Sequence, residues 1–310
     1  MNPLFTFLRK TVYLTFDRVV AVLGGYDNFR RVFKLAEITG ALRNRIGYIG
    51  GASKSDYLSA IAKSFPEMES RQHKKILQDY WKDHQRMFLE LFIYDEMTPE
   101  NIGRLVDFQG FEHIKSALKA GKGAILPVPH IGSIRLLHYS LALKGYPVSV
   151  VSSGYADDPE IVRRYKLNET SRVHQVGFRG QNPRWIVQAL RDNRLVQIAS
   201  TAEAGSVGVE VNFMRRRLFF TSGWVRLAMI TGSPILPAYI VRNDDYRHTV
   251  HIRPAFPLTE GADRNEIVPE TAQAFIDSIE PVYHQHPHLI DWMSWQNRLS
   301  EAGEHFGGEA

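Results

Sequence analysis

An α/β fold with a mixed central sheet flanked by helices, preceded by a helical N-terminal extension, is what this sequence predicts. From residue 123 onward, short apolar runs alternate with amphipathic segments, the pattern of a sheet with helices on its faces. Before residue 110, apolar residues recur at helical spacing with no comparable strand run. No internal repeat, low-complexity tract or flexible linker breaks the chain. Residues 1–110 are therefore read as a helical extension packed on the core and 111–310 as the α/β domain, the two forming one structural unit. At 310 residues and 44% hydrophobic content, the chain is long enough to bury one large core or two modest ones.

The first helix carries Phe5, Leu8, Val12, Phe16, Val19 and Leu23 on one stripe, interrupted by Arg9, Lys10, Asp17 and Arg18. Those charges make it unfit to cross a bilayer, and two readings stay open: a helix lying on a membrane, or one that covers the core. A break follows at "YIGGASKSD". The stretch 72–93 places Ile76, Leu77, Tyr80, Trp81, Met87, Phe88, Leu91 and Phe92 on one packing face. "TPENIGRLVDFQG" has Thr98 as a candidate N-cap with proline behind it and reads as a helix, as does "GFEHIKSALKAG". Then come the strand "GAILPVP", the helix "SIRLLHYSLALKG", the strand "PVSVVSS" and a helix near 158–168. Further strands are expected at "LVQIAS", "GVEVNFM", "RLFF", "PILPAYIV" and "YRHTVHIRPAF", with helices at 183–192, 221–231 and 265–298.

The absence of cysteine excludes disulfide frameworks, cysteine-ligated metals and thiol nucleophiles. A formal charge of +5 points to an anionic partner without choosing among phospholipid headgroups, an acidic carrier protein and nucleic acid. In the first fifty residues Arg9, Lys10, Arg18, Arg30, Arg31, Lys34, Arg43 and Arg45 face only Asp17, Asp27 and Glu37, which marks a surface-binding end. The start "MNPLFTFLRK" lacks the pattern of a cleavable signal. No element interleaves basic and aromatic residues as nucleic-acid binding requires, and no dinucleotide or phosphate-loop spacing is present. No cofactor is expected. His284, His286 and His288 invite a metal reading, but Pro287 breaks their helical spacing and no carboxylates accompany them, so no metal site is assigned.

His130 stands apart. It ends an apolar strand and is followed by "IGS" and a helix, the place where open α/β sheets put their ligand sites. With Gly132 it suggests a tight strand-to-helix turn whose free backbone N–H groups would hold an oxyanion or phosphate. A packed histidine at a strand end is the alternative.

The segment "AGKGAILPVPHIGSIRLLHYSLALKGYPVSVV" resembles the first motif block of the lysophospholipid acyltransferase-like superfamily, in the branch of lipid A late acyltransferases and mannoside acyltransferases. The resemblance continues through "IVQALRDNRLVQIASTAEAG", "GVEVNFMRRRLFFTSGWVRLAMITGSPILPAYIVR" and "HPHLIDWMSWQNR". It implies an acyltransferase-like α/β fold and a histidine general base, here His130, that takes a proton from an acceptor hydroxyl attacking an acyl thioester. It further implies an acyl carrier protein or acyl-CoA donor, a lipid or glycolipid acceptor, and a peripheral place on the cytoplasmic face of the inner membrane, with lipopolysaccharide among the products of such enzymes.

One position departs from the pattern. The family's His-x4-Asp/Glu motif has an acid that orients the imidazole, and Arg135 stands there instead. A cation cannot accept the ring N–H. Arg135 either binds an anionic substrate group while an acid comes from elsewhere, or points to solvent, or marks lost chemistry. Glu203 in "STAEAG" aligns with the second acid of the family's acidic block, Thr201 replacing the first, and is the expected relocated partner unless it is a solvated loop residue. Arg163 and Arg164 fall where the family often has arginines near the donor site, and a solvated helix face is the alternative. Thr221 and Ser222 match a hydroxyl-rich turn that caps a helix or binds phosphate, and the arginines at 215–217 suit a headgroup contact. Two rival functions remain: a carrier-protein-dependent transferase of an aminoacyl or natural-product group, and a non-catalytic homologue that binds lipid or a partner.

Overall fold

The computed structural model describes residues 3–46, 53–152, 173–177, 184–200, 208–258 and 263–293. Four helices lead: α1 (Pro3–Val22), α2 (Phe29–Ile46), α3 (Lys54–Ser64) and α4 (Ser70–Glu90). Ser53 starts α3 with a reciprocal cap, its hydroxyl accepting from the Asp56 N–H while the Asp56 carboxylate accepts from the Ser53 N–H.

Nine strands follow among the described residues. A four-stranded parallel sheet runs in the order β2 (Ala124–Val128), β5 (Leu195–Ala199), β3 (Val148–Ser152), β4 (Val173–Gly177). A three-stranded sheet has the order β1 (Val106–Gln109), β9 (His248–Ile252), β8 (Ala238–Arg242), with β8 antiparallel to β9. Ile125 joins the two: its N–H donates to the Pro234 carbonyl at 2.9 Å and its carbonyl accepts from Leu236 N–H at 2.8 Å. The result is one mixed sheet, as the alternation of elements predicts. β6 (Gly208–Phe213) and β7 (Arg216–Thr221) form a separate antiparallel hairpin.

All five residues of β2 are buried because helices cover both of its faces. Successive side chains alternate between two cores. Ile125 and Val196 turn to one, with Ile61 of α3 and residues of α7 (Arg184–Arg191), α8 (Gly223–Thr231) and α9 (Arg264–Gln285) such as Ile186, Ala228 and Phe275. Ala124, Leu126, Val128 and Leu195 turn to the other, with Val32 and Phe33 of α2, Ile114 of α5 (Phe111–Lys119), and Leu136 and Leu137 of α6 (Ile134–Leu143). Each fully buried aliphatic side chain here contributes about 1.5–3 kcal/mol relative to exposure. α4 serves both cores, offering Ile76, Leu77, Tyr80 and Trp81 to the first and Leu89 to the second. Its polar residues between these ends therefore lie against the interior.

One face of α1 covers the core, where Tyr13 and Phe16 pack on Phe88 and Phe92 and Val20 is buried, and the other face is exposed. Val12, expected on the apolar stripe, is 48% exposed instead. Among the described residues, no helix is long and apolar enough to cross a membrane.

The structure differs from the sequence reading in three places. Residues 98–109 are not a helix; Thr98 and Asn101 cap a single turn, Ile102–Arg104 is 3₁₀, and β1 begins at Val106. The Val-Asp-Phe alternation there pairs in parallel with β9, so its backbone groups are satisfied in the sheet. β4 was not foreseen, and the helix expected near 158–168 lies outside the described residues. α9 ends at Gln285, since Pro287 disfavours helical geometry at His286, where φ is −128°. The chain then turns through Pro287–Leu289 and extends along the end of β2.

Candidate functional site

His130 lies just past the C-terminal end of β2, half-buried, in the turn that leads through Gly132 and Ser133 into α6. Gly132 adopts φ +62°, and a Cβ there would meet the Ile240 carbonyl oxygen at 2.4 Å. Only glycine fits both the left-handed backbone and the approach to β8. Gly132→Ala is expected to lose about 1–3 kcal/mol of stability from backbone strain and displacement of β8. Chemical denaturation of the two proteins checks this, and equal midpoints would contradict the reading of the turn.

The turn is clasped by the segment after α9. Gly132 N–H donates to the Leu289 carbonyl at 2.9 Å, and Asp291 N–H donates to the His130 carbonyl at 3.4 Å. These two bonds flank an antiparallel bridge between Ile131 and Ile290. Both isoleucines are buried, whereas His130 and Asp291, the next opposed pair, are each half-buried. In antiparallel pairing directly opposed side chains share a face, about 4.5–5.5 Å apart at Cβ. The backbone thus sets His130 opposite Asp291 across the clasp, next to the buried isoleucine pair. This pairing also alters the expected oxyanion site: the Gly132 N–H is committed to Leu289, and the Ile131 N–H bonds the Pro129 carbonyl at 2.9 Å.

Below the turn sits a buried charge cluster. Ser133, at the N-cap position of α6, donates its hydroxyl to Glu90 at 2.5 Å instead of capping the helix. Arg242, at the end of β8, contacts the carboxylates of both Glu90 and Asp83. His248 Nε2 is 3.0 Å from Glu90. Burial opposes charge on each partner, pushing the Glu90 carboxyl up to about 8 and the Arg242 guanidinium down to about 9. Their direct contact works the other way and favours the ion pair. Burial and Arg242 hold His248 far below the ordinary histidine value, so it is neutral. His84 is held at about 4 by burial and by the charge of Arg43, while Asp291 acts on it in the opposite sense. Arg135 acts electrostatically on both His84 and Glu90, which places the cation of the departed motif position beside this cluster.

Other expected site residues are elsewhere or undescribed. Thr221 and Ser222 end β7 and precede α8. Ser222 holds the N-cap position, but its hydroxyl makes no capping bond, and neither hydroxyl has a hydrogen-bond partner among the described residues. Capping, the expected role, is thus left to the Ser222 carbonyl, which accepts from Val225 N–H. Arg215 and Arg217 form surface pairs with Glu67 and Glu210, and Arg216 reaches the Lys63 carbonyl. Arg163, Arg164, Thr201 and Glu203 lie outside the described residues.

Sequence reasoning missed Asp291 and the Glu90 cluster. A signal existed for the latter: Ile76, Asp83 and Glu90 are spaced by seven, so two acids stand in register with an apolar position of α4. Asp291 had none, because its place opposite His130 depends on a pairing between distant parts of the chain.

The sequence is 27% identical over 157 residues to a phosphatidylinositol mannoside acyltransferase of Mycolicibacterium smegmatis, covering 50% of this chain and 52% of that one. It is 26% identical over 227 residues to a phosphatidylinositol mannoside acyltransferase of Mycobacterium tuberculosis, covering 70% and 69%. The matched stretch is thus about half the length of the first relative and over two thirds of the second. The model of the bacterial lipid A biosynthesis acyltransferase family matches residues 12–301, nearly the whole chain and all of the clasped turn, β2 and α6. By that match the chain belongs to the bacterial lipid A biosynthesis acyltransferase family.

Proposed function

We propose that this protein moves an acyl group from a thioester, carried by an acyl carrier protein or coenzyme A, to a hydroxyl or amine of a lipid or glycolipid, with His130 as general base. The observation that carries the reading is the place of His130: at the C-terminal end of a central parallel strand, in the turn into a helix, within a chain of this acyltransferase family. The imidazole takes the proton of the acceptor hydroxyl as its oxygen attacks the thioester carbonyl. The C–S bond then breaks, and the imidazolium returns the proton to the leaving thiolate. Each mycobacterial relative is described as acting on a phosphatidylinositol mannoside, which supports a phosphoglycolipid among the acceptors to try first.

A membrane-surface setting, on the cytoplasmic face of the inner membrane, is part of the proposal. Its support is the basic excess of the first fifty residues together with exposed apolar side chains on α1 and α2: Val12, Leu14, Val22, Ile38 and Leu42. Arg30, Arg31, Arg104 and Arg247 line one concavity at the start of α2, suited to an anionic headgroup. Thr201 and Arg164 remain part of the proposed substrate-binding set, and Glu203 remains the catalytic acid that the family resemblance offers to His130; all three lie outside the described residues.

The test is thioester consumption and acylated-lipid mass, measured with acyl-CoA and acyl carrier protein donors on anionic vesicles containing phosphoglycolipids. His130→Gln is expected to lower kcat by about 10²–10⁴-fold, the usual contribution of a general base. Equal turnover by wild type and variant would remove His130 from the reaction.

A further inference from the structure

Resting on the reading of His130 as base, we propose that Asp291 is its positioning residue, supplying across the antiparallel clasp the carboxylate that the helix position held by Arg135 does not.

A neutral imidazole working as a base must present one nitrogen to the substrate and give its other N–H to an acceptor that fixes the tautomer and ring orientation. Arg135 has five N–H donors and no acceptor, so it cannot take that bond. The clasp brings a carboxylate to the same place from the far end of the chain. The bonds Gly132 N–H to Leu289 and Asp291 N–H to His130 fix the register, so His130 opposes Asp291 and Ile131 opposes Ile290. A slip of one residue would turn the carboxylate into the core and an isoleucine outward. Burial of Ile131 at 0% and Ile290 at 1% exposure pins the register against that slip.

The surroundings agree with a carboxylate on this face. The segment that carries Asp291 lies against α4, where Met293 N–H donates to the Tyr80 hydroxyl at 3.3 Å, and Asp291 acts electrostatically on Tyr80 and His84. Arg43 of α2 acts on both of those groups and Arg135 of α6 on His84. Among the described residues, this neighbourhood holds Arg43, Tyr57, Tyr80, His84, Arg86, Glu90, Arg135, His138 and Asp291. Among them Asp291 is the carboxylate opposed to the imidazole, since Glu90 is buried beneath Ser133 and Arg242. In the transfer, Asp291 accepts the ring N–H throughout and takes no proton. The acceptor's proton passes to the other ring nitrogen and then to the thiolate, so alcohol plus thioester gives ester plus thiol.

The experiment compares wild type, Asp291→Asn, His130→Gln and the double variant Asp291→Asn/Arg135→Glu. Steady-state kinetics across pH are paired with NMR of ¹⁵N-histidine-labelled protein, His130 being assigned by its absence in His130→Gln. Asp291→Asn is expected to lower kcat by about 10²–10⁴-fold with KM little changed. Loss of a neighbouring anion disfavours the imidazolium, so the acidic limb of the kcat profile and the His130 NMR titration both move to lower pH. Arg135→Glu, which restores an acid at the motif position, is expected to recover at least about tenfold of the lost rate in the double variant.

An unmoved His130 titration in Asp291→Asn overturns the proposal, as does undiminished kcat. NMR of the wild type alone gives a reading even where a variant folds poorly: a His130 ring N–H in rapid exchange with water also overturns it. Full activity of His130→Gln would defeat the general-base reading instead, and the titration would still report whether Asp291 and His130 are partners.

Discussion

Arg242→Met is expected to destabilise the protein by about 3–5 kcal/mol, read as a fall in the denaturant midpoint at neutral pH. Methionine matches the length of the arginine stem, so the loss is chiefly electrostatic. Arg242 is 2% exposed at its side chain, Asp83 4% and Glu90 0%, and removing the guanidinium takes from two buried carboxylates the cation in direct contact with both, leaving Arg86, 4.0 Å from Asp83. The penalty has a signature in pH. A carboxyl whose folded pKa is raised contributes stability below its unfolded value and loses it as pH rises through the folded one. For Glu90 that window runs from the ordinary 4.5 to about 8. Removing Arg242 raises the folded value further, so the difference between Arg242→Met and wild type should grow as pH rises past about 8 and be larger at pH 9 than at pH 6. A difference that stays constant across that range would mean that lost packing, not uncompensated charge, is responsible.

A second large effect is acid unfolding driven by buried histidines. His84, His138 and His248 are held neutral in the folded protein, the first two at about 4 and about 3, the third far below its ordinary 6.5, in each case mainly by burial. Unfolding lets each bind a proton below 6.5, so stability is lost as pH falls through that value. Each such group contributes a slope of about 1.4 kcal/mol per pH unit. Glu90 works the opposite way over part of the window, because the folded state holds its proton more tightly. These three groups against Glu90 alone leave a net loss of about 3 kcal/mol per pH unit between pH 6 and 5, and the half-buried His251 and His288, also held at about 4, act in the same sense. Denaturant titrations at half-unit pH intervals measure this slope. A flat response there, with His138→Gln equally flat, would show that these side chains are hydrated.

Periodicity made most of the sheet legible in advance. β2, β3 and β8 are short apolar runs with glycine or proline beside them and β5 is one between Arg194 and Ser200, and runs of that kind have few alternatives in an α/β chain. β1 was hidden because "VDFQ" is only four residues long and follows an N-terminal cap signal that governs a single turn. The turn at His130 was legible too, since an apolar strand ending in His-Ile-Gly-Ser leaves little other geometry. Its surroundings were not. The carboxylate opposite His130 arrives by backbone pairing between sequence-distant residues, and the Glu90 cluster draws on α4, β8 and β9. Local pattern cannot report contacts whose register is set by the packing of the whole domain.

The clasp between Ile131 and Ile290 also bears on how the protein is made. His130 and Asp291 stand about half the chain length apart, and every strand of the main sheet after β2 lies between them. During translation the β2 turn leaves the ribosome long before its partner, so a nascent chain holds His130 without the segment that flanks it. The proposed pair is therefore not assembled until the last strand, the helix after it and the segment that follows have been synthesised and docked. Pairing across so long a loop is slow to form, and it makes competence for chemistry a report that synthesis of the domain has run to its end.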